Sequence, residues 1–594
     1  MIEIITTYLN QNNQENNYKK IFLGEWCIPF NSKSKLIGLN KVLNYHWASS
    51  KKSLRDFKYI NKLHKSILPD LANKLNLIHN KKINKKEWNL IIGYWLYVYI
   101  SVCVDRYNTI SNLGKKLEKE KDYFVKEFHN LSKDQFIPID TSEAVKFFHD
   151  DLWNHLFFSD LLRLFTKVNF RKTTFKYLSS TKVNSHFKLK LFSLSFIKIR
   201  IKNFLKNFLK LSFSKRKLIY LLNPEISLIN IFKLKFFTKS VIILNPDLTN
   251  FYSNNPKYID RNWFLPFSEN DDALIKFVKQ SISQWLPKSF MENFDVFYYA
   301  ANKFCINKKA DLIFSSNIHH DGCDEYKILS AIQIKKGAKF VLGQHGGQIN
   351  KYNVGTEIER NVADILFSNG WFGTDGKKII NVGQYWHRLK KNQFNPLGNA
   401  LLVTGLSPKY SLGLESKPLS SLNLSYFKDL YSFYGNLEDL IKKEVKVRIY
   451  PKADYGWDQK NRWLDKFPDV QLDYGSFSLS REVRRSRILI STYNASTYLE
   501  SLAANIPTII FWDQDLWPVP MECEVDFKKL NEVGIFFDSP IEAANQINKI
   551  WDNVYLWWKN EYLQEVRKDF CSKYSCMDSY KIKRFGVHLK ELLN

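Results

Sequence analysis

From about Lys217 onward the chain alternates short, nearly unbroken apolar runs with helical or polar stretches. The first runs occupy 217–224 (KLIYLLNP), 240–247, 310–317, 338–344 and 363–370. A second series occupies 400–405, 446–451, 470–475, 487–494, 507–513 and 534–538. Runs rich in Val, Ile, Leu and Phe with helices between them are the pattern of parallel strands buried on both faces. Two series predict two α/β units. The break falls in 384–399 (QYWHRLKKNQFNPLGN), where Pro, Gly and Asn interrupt the apolar periodicity. Residues 1–395 form the first unit and 396–594 the second. Helical spacing dense in aromatics, as in 86–120, predicts a largely helical elaboration over about 50–215. Near the end, Ser539-Pro540-Ile541-Glu542 combines a capping serine, an N-terminal proline and a glutamate at the third position, so a helix begins there and runs toward Trp551.

Composition supports packed domains: of 594 residues 45% are hydrophobic and 15% aromatic, too many for pervasive disorder. The 7 cysteines are scattered and never form a Cys-x-x-Cys pair, which predicts reduced thiols with no disulfide frame or zinc ribbon. The N-terminus lacks a secretory pattern, and no run of about 18 uncharged apolar residues occurs. A cytoplasmic protein is expected. The net charge of +29 points to anionic partners, or to a lysine-rich background, since the excess is spread widely. One stretch, 196–217 (FIKIRIKNFLKNFLKLSFSKRK), contains no acidic residue. Ile197, Ile201, Phe204, Leu205, Phe208 and Leu211 share one helical face, and Lys198, Lys202, Lys206 and Lys210 recur on another. Such a helix suits an anionic membrane surface, or packs on its own domain with a solvated lysine face.

Candidate chemistry gathers at the ends of the runs, where ligands bind in open α/β sheets. Gln344-His345-Gly346-Gly347 follows the run at 338–344; its glycines allow close approach of backbone to a phosphate, and His345 is a candidate catalytic group. Arg448 and Lys452 follow the run at 446–451, two cations suited to a diphosphate or to surface carboxylates. After the run at 487–494, Asn494 is placed to cap a helix. Ser491, Ser496 and Thr497 put hydroxyls at its N-terminus, and Glu500 lies a turn further on, within reach of sugar hydroxyls. Glu25, His46 and Asp105 are candidates for a general base, or for buried pairs tying helices together. Phosphate-loop, dinucleotide, zinc-protease and nucleophile-elbow signatures are missing. The group His319, His320, Asp321, Asp324 and Glu325 has no metal-ligand spacing, and no metal site is assigned.

Taken together, LGEWC, YHW, GQHGG, ADILFSNGW, VRIYPKADYGW and STYNASTYLESLAANIPTIIFWD resemble a family of bacterial transferases associated with O-antigen and surface-polysaccharide synthesis. The second half is similar in layout to GT-B glycosyltransferases and, more distantly, to capsule-type Kdo transferases and CDP-glycerol polymerases. Many of those carry Arg-x-His-Pro at the donor phosphates; here the stretch reads Arg448-Ile449-Tyr450-Pro451, so a cytidine nucleotide does not follow. The resemblance implies an α/β, GT-B-like fold with two Rossmann-like domains facing a cleft. The second domain would hold a nucleotide-activated sugar and the first a lipid-linked or glycan acceptor, with no cofactor and no obligatory metal. His345 would face the donor phosphates across the cleft and protonate the leaving group, with Glu25 as base and His46 or Asp105 as substitutes. The enzyme would be cytoplasmic, touching the inner membrane surface through 196–217. Two alternatives remain: a CDP-glycerol-type polyol-phosphate transferase, and a basic nucleic-acid-binding protein without catalysis. Nucleic acid is not expected under the first reading.

Overall fold

The computed structural model describes the chain except for residues 12–17, 31–39, 120, 176–216, 253–255, 319–322, 348, 350–353, 371–378, 386–388, 390–393, 452 and 577–580. The basic stretch 196–217, apart from Lys217, therefore lies outside the described residues, as do Lys452, His319, His320 and Asp321.

The first third, expected to be largely helical over about 50–215, contains a parallel sheet of its own. Its strands are β1 (Ile2–Ile5), β2 (Lys19–Phe22), β3 (Lys41–Val42), β4 (Tyr123–Phe128) and β5 (Asn169–Thr173), in the order β3-β2-β1-β4-β5. Short strands such as KKIF and NFRKT carry too few apolar residues to register as buried runs. Between β3 and β4, helices α1 (Ser50–His79) and α2 (Lys85–Gly114) form a hairpin. Asn80 ends α1 in the left-handed region (φ 49°), and Asn84 with Glu87 makes a reciprocal capping box on α2. By length and composition α2 could cross a membrane, but 94% of its apolar window is buried inside the protein. It packs on α1, on α3 (Asp151–Phe165) and on helices of the next unit, so its all-round apolarity is that of a core helix.

The middle sheet holds β6 (Leu218–Leu222), β7 (Val241–Leu244), β8 (Leu312–Ser315), β9 (Lys339–Gly343), β10 (Ile365–Ser368) and β11 (Ile379–Asn381), all parallel, in the order β11-β10-β9-β8-β6-β7. Helices α4 (Leu228–Thr238) and α5 (Asp324–Lys335) belong to this unit. Its core is continuous with that of the N-terminal sheet, running through Ile4, Trp95, Phe157, Leu274 and Phe340. Asp324 is buried; it accepts from the Thr141 amide and hydroxyl and the Ser289 hydroxyl, and pairs with Lys327 at 2.9 Å.

The C-terminal sheet comprises β12 (Asn399–Val403), β13 (Val445–Arg448), β14 (Gln471–Asp473), β15 (Ser486–Ser491), β16 (Thr508–Phe511) and β17 (Phe536–Phe537). Helix α6 (Ser496–Ala503) follows β15; α7 (Pro540–Ile550), α8 (Glu561–Tyr574) and α9 (Lys581–Leu593) close the chain. The Glu542 amide donates to Ser539 Oγ, so α7 starts where its sequence signals place it. Helix α9 does not stay with the second unit. Phe585, Leu589 and Leu593 pack with Ile219, Leu221, Phe314 and Phe367 of the middle sheet. The second unit is thus not simply 396–594; its last helix returns across the linker. Two Rossmann-like parallel-sheet units are present, extended by a third parallel sheet at the N-terminus.

Candidate active site where two parallel sheets meet

The C-terminal strands lie in the order β14-β13-β12-β15-β16-β17, numbered within the sheet 3-2-1-4-5-6. The order reverses between β12 and β15. Chains leaving these two strands run to opposite faces of the sheet, so a crevice opens at their carboxyl ends. One wall is Thr404-Gly405, whose glycine lies flat on Tyr493: a Cβ there would sit 3.2 Å from the ring. The Gly405 amide donates to the Tyr426 hydroxyl at 2.9 Å, and Tyr426 in turn meets Thr492. The other wall is Tyr493 and the first turn of α6, where the Tyr493 and Thr497 hydroxyls lie 2.7 Å apart.

The loop expected to carry chemistry, Gln344 to Gly347, reaches this same point from the middle sheet. The Gly347 amide donates to Ser496 Oγ at 2.9 Å. Gly346 has φ +71°, and a Cβ on Gly347 would come within 2.7 Å of Leu499 Cδ1. Gly346 is thus favoured by its conformation, and the absence of a side chain on Gly347 leaves room for Leu499 of α6. Gln344 braces the loop: it is buried and its Oε1 accepts from the Asn369 amide, while Asn369 Nδ2 donates to the Gly346 carbonyl at 2.8 Å. His345 stays half exposed, with Nδ1 3.3 Å from Glu225 Oε2.

Other candidates take different places. Asn494 does not cap α6; Ala495 occupies the cap position without a side-chain bond. Asn494 instead clamps Ile349, donating to its carbonyl at 2.7 Å and accepting from its amide, and so joins the two units. The N-terminus of α6 is left to Ser496 and backbone amides. Ser491 is wholly buried at the end of β15. Glu500 is also buried, with Oε2 accepting from the Leu389 amide of the interdomain segment. Arg448 is turned away from solvent: it pairs with Asp473 at 2.8 Å and donates to the Phe477 carbonyl. Sheet register explains this, because Arg448 and Asp473 are direct partners across β13 and β14.

The three candidate bases fall into two places. His46 and Asp105 are buried together with Tyr45 and Arg106. Tyr45 donates to Asp105 Oδ1 at 2.7 Å, and Arg106 reaches Asp105, the Ser411 carbonyl, Asn154 and the Phe148 carbonyl. Burial pushes the Asp105 carboxyl up, but Arg106, His46 and Tyr45 together hold it below the usual carboxylate range. This is a structural knot between α2 and the loop after β12, not a base open to substrate. Glu25 is half-buried at the exit of β2, where its charge acts on Arg462, whose guanidinium lies 4.6 Å over Phe30. Sequence reasoning missed Glu225, although it stands at a strand end inside the turn signal Asn223-Pro224. It also missed the loop after β12, where Lys409 and Tyr410 both bind Asp151 of α3.

A family model for the LIC12162 family transferase matches residues 2–583, nearly the whole chain. The chain belongs to this transferase family. Among solved structures, it is similar to Acinetobacter baumannii MurG, at 11% identity over 64% of this chain and 99% of that one, with a TM-score of 0.33. It is also similar to the wall teichoic acid polymerase TagF, at 13% identity over 67% and 94%, with a TM-score of 0.31. A kitacinnamycin glycotransferase gives 9% identity over 64% and 100%, with a TM-score of 0.33. Comparison with curated proteins finds no match.

Proposed function

We propose that this LIC12162 family transferase is a glycosyltransferase that moves a sugar from a nucleotide-activated donor to a cell-surface glycan acceptor of the O-antigen, capsule or lipopolysaccharide type. One observation carries the reading: the strand-order reversal between β12 and β15 coincides with the point where Gly347 of the middle sheet bonds to Ser496 at the start of α6. The donor diphosphate would lie against the first turn of α6, where backbone amides and the helix dipole favour an anion without calling on a metal. His345 would face the reacting centre from the middle unit, and the acceptor would be lipid-linked or glycan, met at the inner membrane surface.

The test is a donor screen. The protein is incubated with UDP-, GDP-, CMP- and dTDP-linked sugars and with CDP-polyols, following thermal shift and donor consumption. Consumption of a nucleotide sugar is expected. Consumption of a CDP-polyol alone would move the assignment to polyol-phosphate transfer. Salt-sensitive nucleic-acid binding with no donor turnover would replace it by the third reading.

A further inference from the structure

A second cleft opens at the opposite edge of the C-terminal sheet, at the amino ends of β15 and β16. Its volume is about 710 Å³, within the span of ligand-binding pockets, about 300–1,000 Å³. Three segments build it. The interdomain segment contributes Phe394 and is fastened to the sheet twice: Asn395 Nδ2 donates to the Arg485 carbonyl, and the Gly398 carbonyl accepts from Arg487 Nε, each at 2.9 Å. Asn505, left-handed at φ +57°, turns the chain from α6 toward β16. The short helix Val554–Lys559 supplies Tyr555, Trp558 and Lys559. Asn505 lies beyond the last turn of α6, roughly 12 Å from the start of that helix, so the cleft is separate from the position assigned to the donor.

The lining carries charge of one sign. Arg487 donates to the Gly398 and Trp551 carbonyls with its guanidinium 4.3 Å over the Trp551 ring, and Lys559 Nζ stands 5.4 Å over Tyr555. Among the described residues neither cation pairs with a carboxylate, and no carboxylate lines the cleft. Trp558 Nε1 donates to Asn505 Oδ1 at 3.0 Å, which fixes that amide and leaves Nδ2 as a donor with no partner among the described residues. Phe394 and Tyr555 meet at 44° with ring centroids 5.2 Å apart, and Tyr555 is 47% exposed. The two rings form an angled platform and not a parallel-walled slot. That shape suits a pyranose, with one apolar C–H face and a rim of hydroxyls, better than a flat base.

We propose that this cleft binds an acidic saccharide. One sugar ring rests on Tyr555 and Phe394, a hydroxyl accepts from Asn505 Nδ2, and a carboxylate or phosphate faces Lys559 and Arg487. The cations select charged chains over neutral ones. That the saccharide belongs to the glycan being extended rests on the glycosyltransferase reading above; the binding chemistry does not.

Calorimetric titration of the full chain, with no nucleotide donor present, tests the site. The probes are trigalacturonate and sialyllactose, with galactotriose as the neutral counterpart and UMP as a nucleotide. An acidic saccharide should bind, and galactotriose should bind about tenfold more weakly for want of the charged contacts. Tyr555→Ala should weaken the acidic saccharide about tenfold. Lys559→Gln should weaken it about threefold at low salt and less at high salt. Both side chains are exposed, so the variants should unfold at the wild-type temperature. Lys86→Ala, which removes an exposed lysine of α2, should leave the affinity unchanged. The proposal is overturned if neither acidic saccharide binds, if galactotriose binds as well as they do, or if Lys86→Ala weakens binding as much as Lys559→Gln, the mark of diffuse positive charge. Tighter binding of UMP with the same dependence on Tyr555 also overturns it, in favour of a nucleotide. Because no donor enters the measurement, a chain that consumes no nucleotide sugar would lose the transferase reading while the saccharide titration still decides this site.

Discussion

The protein contains two histidine–carboxylate pairs at the same separation: His46 Nε2 to Asp105 Oδ1 and His345 Nδ1 to Glu225 Oε2, each 3.3 Å. Their side-chain exposures are 1% and 5% in the first pair, and 47% and 28% in the second. In the first, Arg106 and Tyr45 both bind Asp105, and all four side chains are buried. In the second, the imidazole is half exposed at the carboxyl edge of the middle sheet. Residue type and distance therefore do not separate an enclosed pair from a solvent-exposed one. Access and the identity of the remaining partners do.

The sharpest way to break this contrast is to remove one charge from the buried knot. Arg106→Ala should cost about 3–5 kcal/mol, because it leaves Asp105 buried without its main partner. His345→Ala should move stability by no more than about 0.5 kcal/mol, as a surface change does. Urea unfolding of both variants checks the pair of values. Acid should separate buried from exposed histidines next. Burial, with smaller effects of nearby cations, pushes His64 down to about 4 and both His149 and His155 to about 3. Folded values below the unfolded value mean that the unfolded chain binds more protons as pH falls. Stability is then full above about pH 6.5 and is lost on the way toward pH 4 and 3. From pH 6.5 to 5.5 the loss should be about 1 kcal/mol per histidine. Denaturant titrations at both pH values read it, and His155→Gln should reduce the slope.

A smaller effect is expected from Gly347→Ala. Its methyl would press on the Leu499 side chain, which must shift, at a cost of about 1 kcal/mol. Thermal unfolding should show the loss, and calorimetry should show weaker nucleotide binding if the donor lies at that helix terminus. Unchanged affinity would argue against donor contact there. A small change is also expected for Lys86→Ala, which removes an exposed pair with Asp364 and should cost less than about 1 kcal/mol.

Much of the framework was legible. Ten of the apolar runs named from the sequence become strands of the middle and C-terminal sheets, and the run at 534–538 supplies the short β17. Buried parallel strands need apolar side chains on both faces, and that requirement is written locally. The start of α7 was legible for the same reason, since a cap and its third residue are neighbours in sequence. The N-terminal sheet was not. Its strands are short and partly polar, and they become strands through pairing with segments as distant as Tyr123 is from Ile2, as β1 does with β4.

At the site, the sequence by itself determined that glycines and a histidine follow β9, and that hydroxyl-bearing residues open α6. Tertiary structure decided what each does. It set Asp473 opposite Arg448, drew Asn494 onto Ile349 instead of its own helix, and enclosed Asp105 and His46. It also brought Glu225 to His345 across 120 positions of sequence. Local pattern records how much of a segment is buried and how it turns. Which charges meet, and whether solvent reaches them, depends on strand order and register, and these exist only once the chain has packed.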